Sequence, residues 1–283
     1  MCRIFGFRSI LKSSVHSSLI NADNALSIQS VDHPNGWGVA HYVGGSPHLI
    51  KSDRSAMNCD IFKQVSGVVS SNTVLAHIRK STIGDVSVLN THPFQFGKWV
   101  FAHNGNIKNF EKKKDELFSM VSTNLAPFVL GSTDSELIFL IILSELEKKV
   151  PMDSPSTPYE LLESACCNSI NKIIASIGGL SNDSDPPDSN FLTFTMTDGN
   201  NMIAFHGGKN LHYSTYKSKC PDRDNCDFFG QSCEAPPESS KINHLLVSSE
   251  PLSGENIWQE LKKGTLIGVD ENMCLNIRRL EAE

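Results

Sequence analysis

The chain has 283 residues, in which 25 Lys and Arg stand against 31 Asp and Glu, giving a net charge of −6 and a pI near 5.9. That acidic balance, with no basic run carrying interleaved aromatics, argues against a nucleic-acid or anionic-membrane partner. The longest apolar run, residues 137–143, is far short of the roughly 20 residues a membrane-crossing helix needs, and residues 1–10, with Arg3 and Arg8, lack the apolar stretch of a secretory signal. The expected compartment is therefore the cytoplasm, where the eight cysteines would stay reduced.

The first residues form a run suited to a strand, residues 2–8, and a helix is expected within 17–30. Further strands are expected at 37–43, 73–78 and 98–103, because β-branched and aromatic residues concentrate there. Asn104-Gly105 then reads as a two-residue hairpin turn. Residues 133–149 predict a helix that opens with the capping box Thr133-Asp134-Ser135-Glu136 and is apolar around most of its circumference, so it should be buried between layers. A second helix is expected from Thr157-Pro158-Tyr159-Glu160 to Gly178-Gly179, with Thr157 as its cap and Pro158 at its first position.

Residues 181–190, with Asp183, Asp185, Pro186 and Pro187, read as a connector. Strands return at 191–197, 201–206, 211–216 and 245–249, interrupted by a polar surface-loop insertion at 217–240. Cys220, Cys226 and Cys233 in that insertion are spaced too widely for a paired zinc knuckle, and no metal site is expected. Strands, buried helices and more strands suggest an α+β fold, a four-layer αββα sandwich of two antiparallel sheets. Residues 2–283 are read as one domain.

Cys2 carries the most chemistry for its position. Removal of Met1 would leave a thiol and a free α-amine on one residue, and both groups titrate near neutral pH, so the amine can take the thiol's proton. The competing reading is a buried, inert strand cysteine.

Three later segments bear on that choice: Leu75-Ala76-His77-Ile78-Arg79-Lys80-Ser81-Thr82-Ile83-Gly84, Asn90-Thr91-His92-Pro93-Phe94, and Phe101-Ala102-His103-Asn104-Gly105-Asn106. With Met1-Cys2-Arg3-Ile4-Phe5-Gly6 and Gly131-Ser132-Thr133-Asp134-Ser135-Glu136, they resemble the glutaminase domain of class II glutamine amidotransferases, members of the N-terminal-nucleophile hydrolase superfamily. Gly36-Trp37-Gly38, Ser249-Glu250-Pro251-Leu252 and Trp258 are most similar to the stand-alone, YafJ-like branch.

The resemblance implies the same sandwich and assigns roles. Cys2 is the nucleophile, with the Asn104 amide and the Gly105 N–H as oxyanion donors. Arg79 and Thr82 face the substrate carboxylate and Asp134 faces its ammonium, with His92 and His103 as supporting substrate-binding residues beside His77. Each charged residue has a bland rival, since Arg79 suits a solvated surface charge and Asp134 suits a helix N-terminus. Ile83 stands where amidosugar-synthase relatives have a histidine, which implies a less polar carboxylate pocket.

The implied activity is cleavage of a γ-glutamyl amide, from glutamine or from a γ-glutamyl peptide or conjugate, through a γ-glutamyl thioester with no cofactor. Stand-alone relatives of this kind include hydrolases of thiol metabolism. With no room for a synthase domain after residue 283, ammonia from glutamine is expected to pass to a separate synthase subunit, whereas a γ-glutamyl peptide or conjugate needs no acceptor and the partner expected is a peptidase subunit. The alternative is a catalytically silent γ-glutamyl-binding or regulatory subunit, and a thiol-dependent penicillin-type amidase is disfavoured by Arg79 and Asp134.

Overall fold

The computed structural model describes residues 2–220, 223, 224, 226, 227 and 229–280. One sheet runs, in spatial order, β11 (Gln259–Glu260), β9 (His212–Ser214), β10 (His244–Ser248), β1 (Arg3–Ser14), β4 (Ser70–Ile78), β2 (Trp37–Val43) and β3 (Ser46–Ser52). The other runs β13 (Leu275–Arg279), β12 (Thr265–Val269), β8 (Met202–Phe205), β7 (Phe191–Thr197), β6 (Trp99–Asn106) and β5 (Phe94–Phe96). Neighbouring strands are antiparallel throughout.

The side-chain period of two sorts each strand into an inner and an outer face. Ile4, Ala40 and Leu75 of the first sheet meet Val100 and Ala102 of the second, and further along Leu245 and Val247 meet Met202, Ala204 and Ile267. Their neighbours Phe5, Trp37, Val39 and Val74 point outward, against Leu26 of α1 (Leu26–Gln29) and Phe62 and Val65 of α2 (Asp60–Val68). Trp37 and Phe62 meet edge to face with centroids 4.9 Å apart.

On the far side, Trp99, Phe101 and Phe194 pack against α3 (Phe110–Phe118), α4 (Asp134–Glu147) and α5 (Tyr159–Ile177). The fold is thus the expected αββα sandwich. Helix α4 is buried from Asp134 to Leu146, as its all-round apolar sequence requires, because it lies between β6 on one side and α5 on the other. Among the described residues no helix is long and apolar enough to cross a membrane.

Three local expectations are corrected. The stretch 17–30 is not one helix: a π turn at Ser17–Asn21 and the short α1 are separated where Asp23 and Asn24 bond to Ser253 and to the carbonyl of Pro251. Thr157 does not cap α5, whose N-cap is Pro158 without a side-chain bond; the Thr157 hydroxyl instead accepts Lys98 Nζ at 3.1 Å. Asn104-Gly105 is no turn, because β6 continues through both residues, pairing with Thr193 and Leu192 of β7. The insertion 217–240 is irregular apart from a 3-10 turn at Gln231–Cys233, with residues 221, 222, 225 and 228 outside the described residues.

Candidate active site

One end of the sandwich gathers the chemically committed residues. Cys2 directly precedes β1, Arg79 directly follows β4, Asn104 lies near the end of β6, and Asp134 begins α4. Antiparallel pairing of β1 with β4 brings Arg3 opposite Ile78, so the residues just beyond, Cys2 and Arg79, emerge together.

Cys2 is buried, and its sulfur is held by the backbone of Lys80: the Lys80 N–H donates to Sγ at 3.3 Å and Sγ lies 3.4 Å from the Lys80 carbonyl. Burial raises the thiol's pKa, while the Lys80 N–H and the Arg79 charge act in the opposite direction and Asp134 reinforces the rise. Cys2, Arg79 and Asp134 are therefore within electrostatic reach of one another.

The Arg79 guanidinium is buried and held through Nη1 and Nη2 by the loop that follows it. Nη1 donates to the carbonyl of Asp85 at 2.9 Å, and Nη2 donates to those of Ile83 at 3.0 Å and Gly84 at 3.3 Å and to Ser81 Oγ at 3.3 Å. Its own backbone is pinned by Asn35 and Gly36. The surface-charge reading of Arg79 is thus excluded. Thr82 is exposed on the same loop, and Ile83 packs against the α4 side of the core. Asn90 ties the far end of this loop to the segment before α4, donating to the Asp85 carbonyl and accepting the Ser132 N–H at 2.9 Å.

Asp134 is buried at the first turn of α4. Its Oδ2 accepts the Ile107 N–H at 2.8 Å and its Oδ1 accepts the Ser135 N–H at 2.8 Å. Among the described residues no cation forms an ion pair with it. Thr133 caps α4 as expected, but Glu136 does not complete the box; its carboxylate accepts the N–H groups of Leu130 and Gly131, fixing the turn that enters the helix.

The Asn104 amide nitrogen lies 3.4 Å from Ser249 Oγ, which also accepts the Ile4 N–H at 2.9 Å, while Asn104 Oδ1 has no partner among the described residues. Gly105 has no room for a side chain: a Cβ there would run into His103 Nε2 and the Phe191 carbonyl.

Beneath these groups lie three buried histidines held neutral by desolvation. His103 Nε2 donates to the Phe191 carbonyl at 3.1 Å, which leaves Nδ1 to accept from Ser135 Oγ at 2.9 Å. That hydroxyl also lies 3.2 Å from Asp134 Oδ1, so its one proton has two claimants. His77 bonds the His103 carbonyl and packs on His92 with tilted rings 4.2 Å apart; His92 also packs on Phe94, with both ring nitrogens unpartnered among the described residues. As they stand, neither His92 nor His103 presents a ring nitrogen to a substrate.

Sequence reasoning named no role for Lys80, Asn90, Ser135 or Ser249. All four stand in segments that carry the family resemblance, but the roles assigned there went to their neighbours.

The family model of the class II glutamine amidotransferases matches residues 1–281. The chain is 30% identical over 247 residues to a Haemophilus influenzae protein assigned by name to the glutamine amidotransferases, covering 83% of this chain and 73% of that one. It is 34% identical over 154 residues to the uncharacterized protein MJ1515 of Methanocaldococcus jannaschii, covering 53% of this chain but spanning only 40% of that protein's length. A shorter match, 30% over 115 residues, is to the gamma-glutamyl-hercynylcysteine sulfoxide hydrolase of Mycobacterium tuberculosis, covering 37% of this chain and 49% of that one. The fold is shared with a glutamine aminotransferase class-II domain protein from Silicibacter pomeroyi, with a TM-score of 0.62 and 20% identity over 99% of this chain and 100% of that one.

Proposed function

The chain belongs to the class II glutamine amidotransferases, and we propose that it is an N-terminal-cysteine amidohydrolase that cleaves a γ-glutamyl amide and releases glutamate. The observation that carries this reading is the convergence of a buried thiol, a buried guanidinium and a buried carboxylate at one end of the sandwich. A γ-glutamyl head group has a carboxylate and an ammonium, and Arg79 and Asp134 supply the two complementary charges.

Once Met1 is removed, the α-amine of Cys2 takes the thiol proton and the sulfur attacks the γ-carbonyl. The Asn104 amide and the Gly105 N–H receive the developing oxyanion. Collapse breaks the C–N bond, the leaving amine takes a proton, and the γ-glutamyl thioester on Cys2 is hydrolysed by water. A carboxylate taken up by the Arg79 Nη2 would displace part of its hold on residues 81–85, coupling binding to a rearrangement of that loop.

We favour a γ-glutamyl peptide or conjugate over glutamine as the substrate. The match to a gamma-glutamyl-hercynylcysteine sulfoxide hydrolase supports this. If glutamine is the substrate instead, the leaving group is ammonia.

Intact-mass analysis of natively expressed protein, before and after a brief exposure to substrate and acid quench, tests the mechanism. Loss of Met1 and a substrate-dependent γ-glutamyl adduct on Cys2 are the expected results. A retained Met1 would instead support the silent regulatory reading.

A further inference from the structure

The end of the sandwich opposite Cys2 carries a second concavity, a groove of about 430 Å3 between the ends of the two sheets. It lies six residues down β1, on the order of 20 Å from the thiol along the strand. Arg8 and Lys12 of β1 form part of its wall, and the Gly199-Asn200 turn, Lys241 and Glu271 close the other sides. In a chain with a net charge of −6, the charged groups lining this groove are three cations and a single carboxylate.

Arg8 is the unusual member. It is only 8% exposed, yet among the described residues no carboxylate lies within 4 Å of its guanidinium. Its Nε donates to the Asn200 carbonyl at 3.0 Å and Nη1 to the Ser9 carbonyl at 2.6 Å, which leaves Nη2 without an acceptor among the described residues.

The two carboxylates that act on Arg8 are occupied elsewhere. Asp198 pairs with Lys98 at 3.3 Å and accepts the N–H groups of Asn200 and Asn201, while Asp270 accepts those of Asn272 and Cys274. Both act on Arg8 only at longer range. A guanidinium is seldom so buried without a paired anion, because an uncompensated charge in a poorly solvated site is costly. Lys12 and Lys241 are exposed on the rim and also lack an ion pair among the described residues.

We propose that this groove is a binding site for a small phosphate monoester, with Arg8 at its floor and Lys12 and Lys241 at its rim. A planar fork backed by two point charges suits a tetrahedral dianion. The volume falls in the ~300–1,000 Å3 range of small-molecule sites, so there is room for the organic part of the ester as well as its phosphate. The site is separate from the thiol and does not depend on the chemistry assigned to Cys2.

Isothermal titration of the full chain with ribose 5-phosphate, with ribose and succinate as controls, tests the assignment. Ribose 5-phosphate should bind saturably, ribose should not bind, and succinate should bind more weakly. The double variant Lys12→Gln/Lys241→Gln removes only exposed side chains and should weaken ribose 5-phosphate at least about tenfold, while its turnover at Cys2 stays as in the parent. Arg8→Lys keeps the charge but loses the fork and should also weaken binding. The proposal is overturned if ribose 5-phosphate shows no saturable binding, if the double variant binds it as the parent does, or if succinate binds more tightly.

Discussion

The Ser249 hydroxyl lies 3.4 Å from the Asn104 amide nitrogen while accepting the Ile4 N–H at 2.9 Å. The Ser249 N–H in turn donates to the Ile4 carbonyl at 3.1 Å. One residue, just past the end of β10, thus links the strand that carries Cys2 to the strand that carries Asn104, across the gap between the sheets. A developing oxyanion is stabilised only by a donor already aimed at it, so this link sets the position of the amide relative to the thiol.

Ser249→Ala should accordingly lower kcat for a γ-glutamyl substrate by about tenfold to a hundredfold with little change in KM, as loss of a transition-state contact does. Ser249→Thr keeps the hydroxyl and should recover most of the rate. Steady-state kinetics of both variants check this, and a selective rise in KM would assign Ser249 to substrate binding instead.

Gly105→Ala places a Cβ against the His103 ring and the Phe191 carbonyl, one of which is backbone in a central ladder and cannot move aside freely. Overpacking of this kind costs about 1–3 kcal/mol. Thermal denaturation should show a clearly lower Tm for the variant, and an unchanged Tm would mean that β6 and β7 separate more readily than their register implies.

Arg79 stitches residues 81–85 through four acceptors that a single ammonium cannot serve together. Arg79→Lys should speed amide hydrogen exchange across residues 81–90 and raise KM by about tenfold or more. Exchange at the parent rate in this segment would show that Asn90 and its partners hold the loop without the guanidinium.

Acid should destabilise the protein through its buried histidines. Burial pulls the pKa of His77 down to about 3 and that of His244 down to about 4, against ~6.5 in an unfolded chain. Between those values the unfolded state binds protons that the folded state refuses. The stability from keeping these rings neutral is complete above pH ~6.5 and is lost as pH falls toward the folded values, at ~1.4 kcal/mol per pH unit per residue. His92 and His103 shift in the same direction. Urea midpoints at pH 7 and pH 5 should differ markedly, and equal midpoints would contradict the neutral, buried assignment.

Uninterrupted burial made some strands legible in the sequence, although β12, buried at all five residues, carried no expectation. Strands β2 and β7 fall at the expected bounds because their apolar and β-branched runs are almost wholly inside. Strand β3 escaped notice because it is an edge strand, half exposed and carrying Pro47 and Lys51. Helix α3, a run rich in lysine and acid, buries only Phe110 and Leu117, too few to show a period. The two halves of the 17–30 segment are separated by bonds to residues more than 220 positions away, which no local pattern contains.

The site divides in the same way. Cys2, Arg79, Asn104 and Asp134 stand in motifs and converge in space. Two features had no local signature: the commitment of the Arg79 fork to carbonyls of its own loop, and the Ser249 contact with Asn104, 145 residues away in the chain.

The most direct test of the account is glutamate release from glutathione, other γ-glutamyl amides and glutamine, measured for the native protein beside Cys2→Ala. The account predicts release from at least one γ-glutamyl conjugate, faster than from glutamine, and its loss in Cys2→Ala. Release that persists in Cys2→Ala would contradict the assignment of the nucleophile, and no release from any of these substrates by protein lacking Met1 would contradict the hydrolase itself.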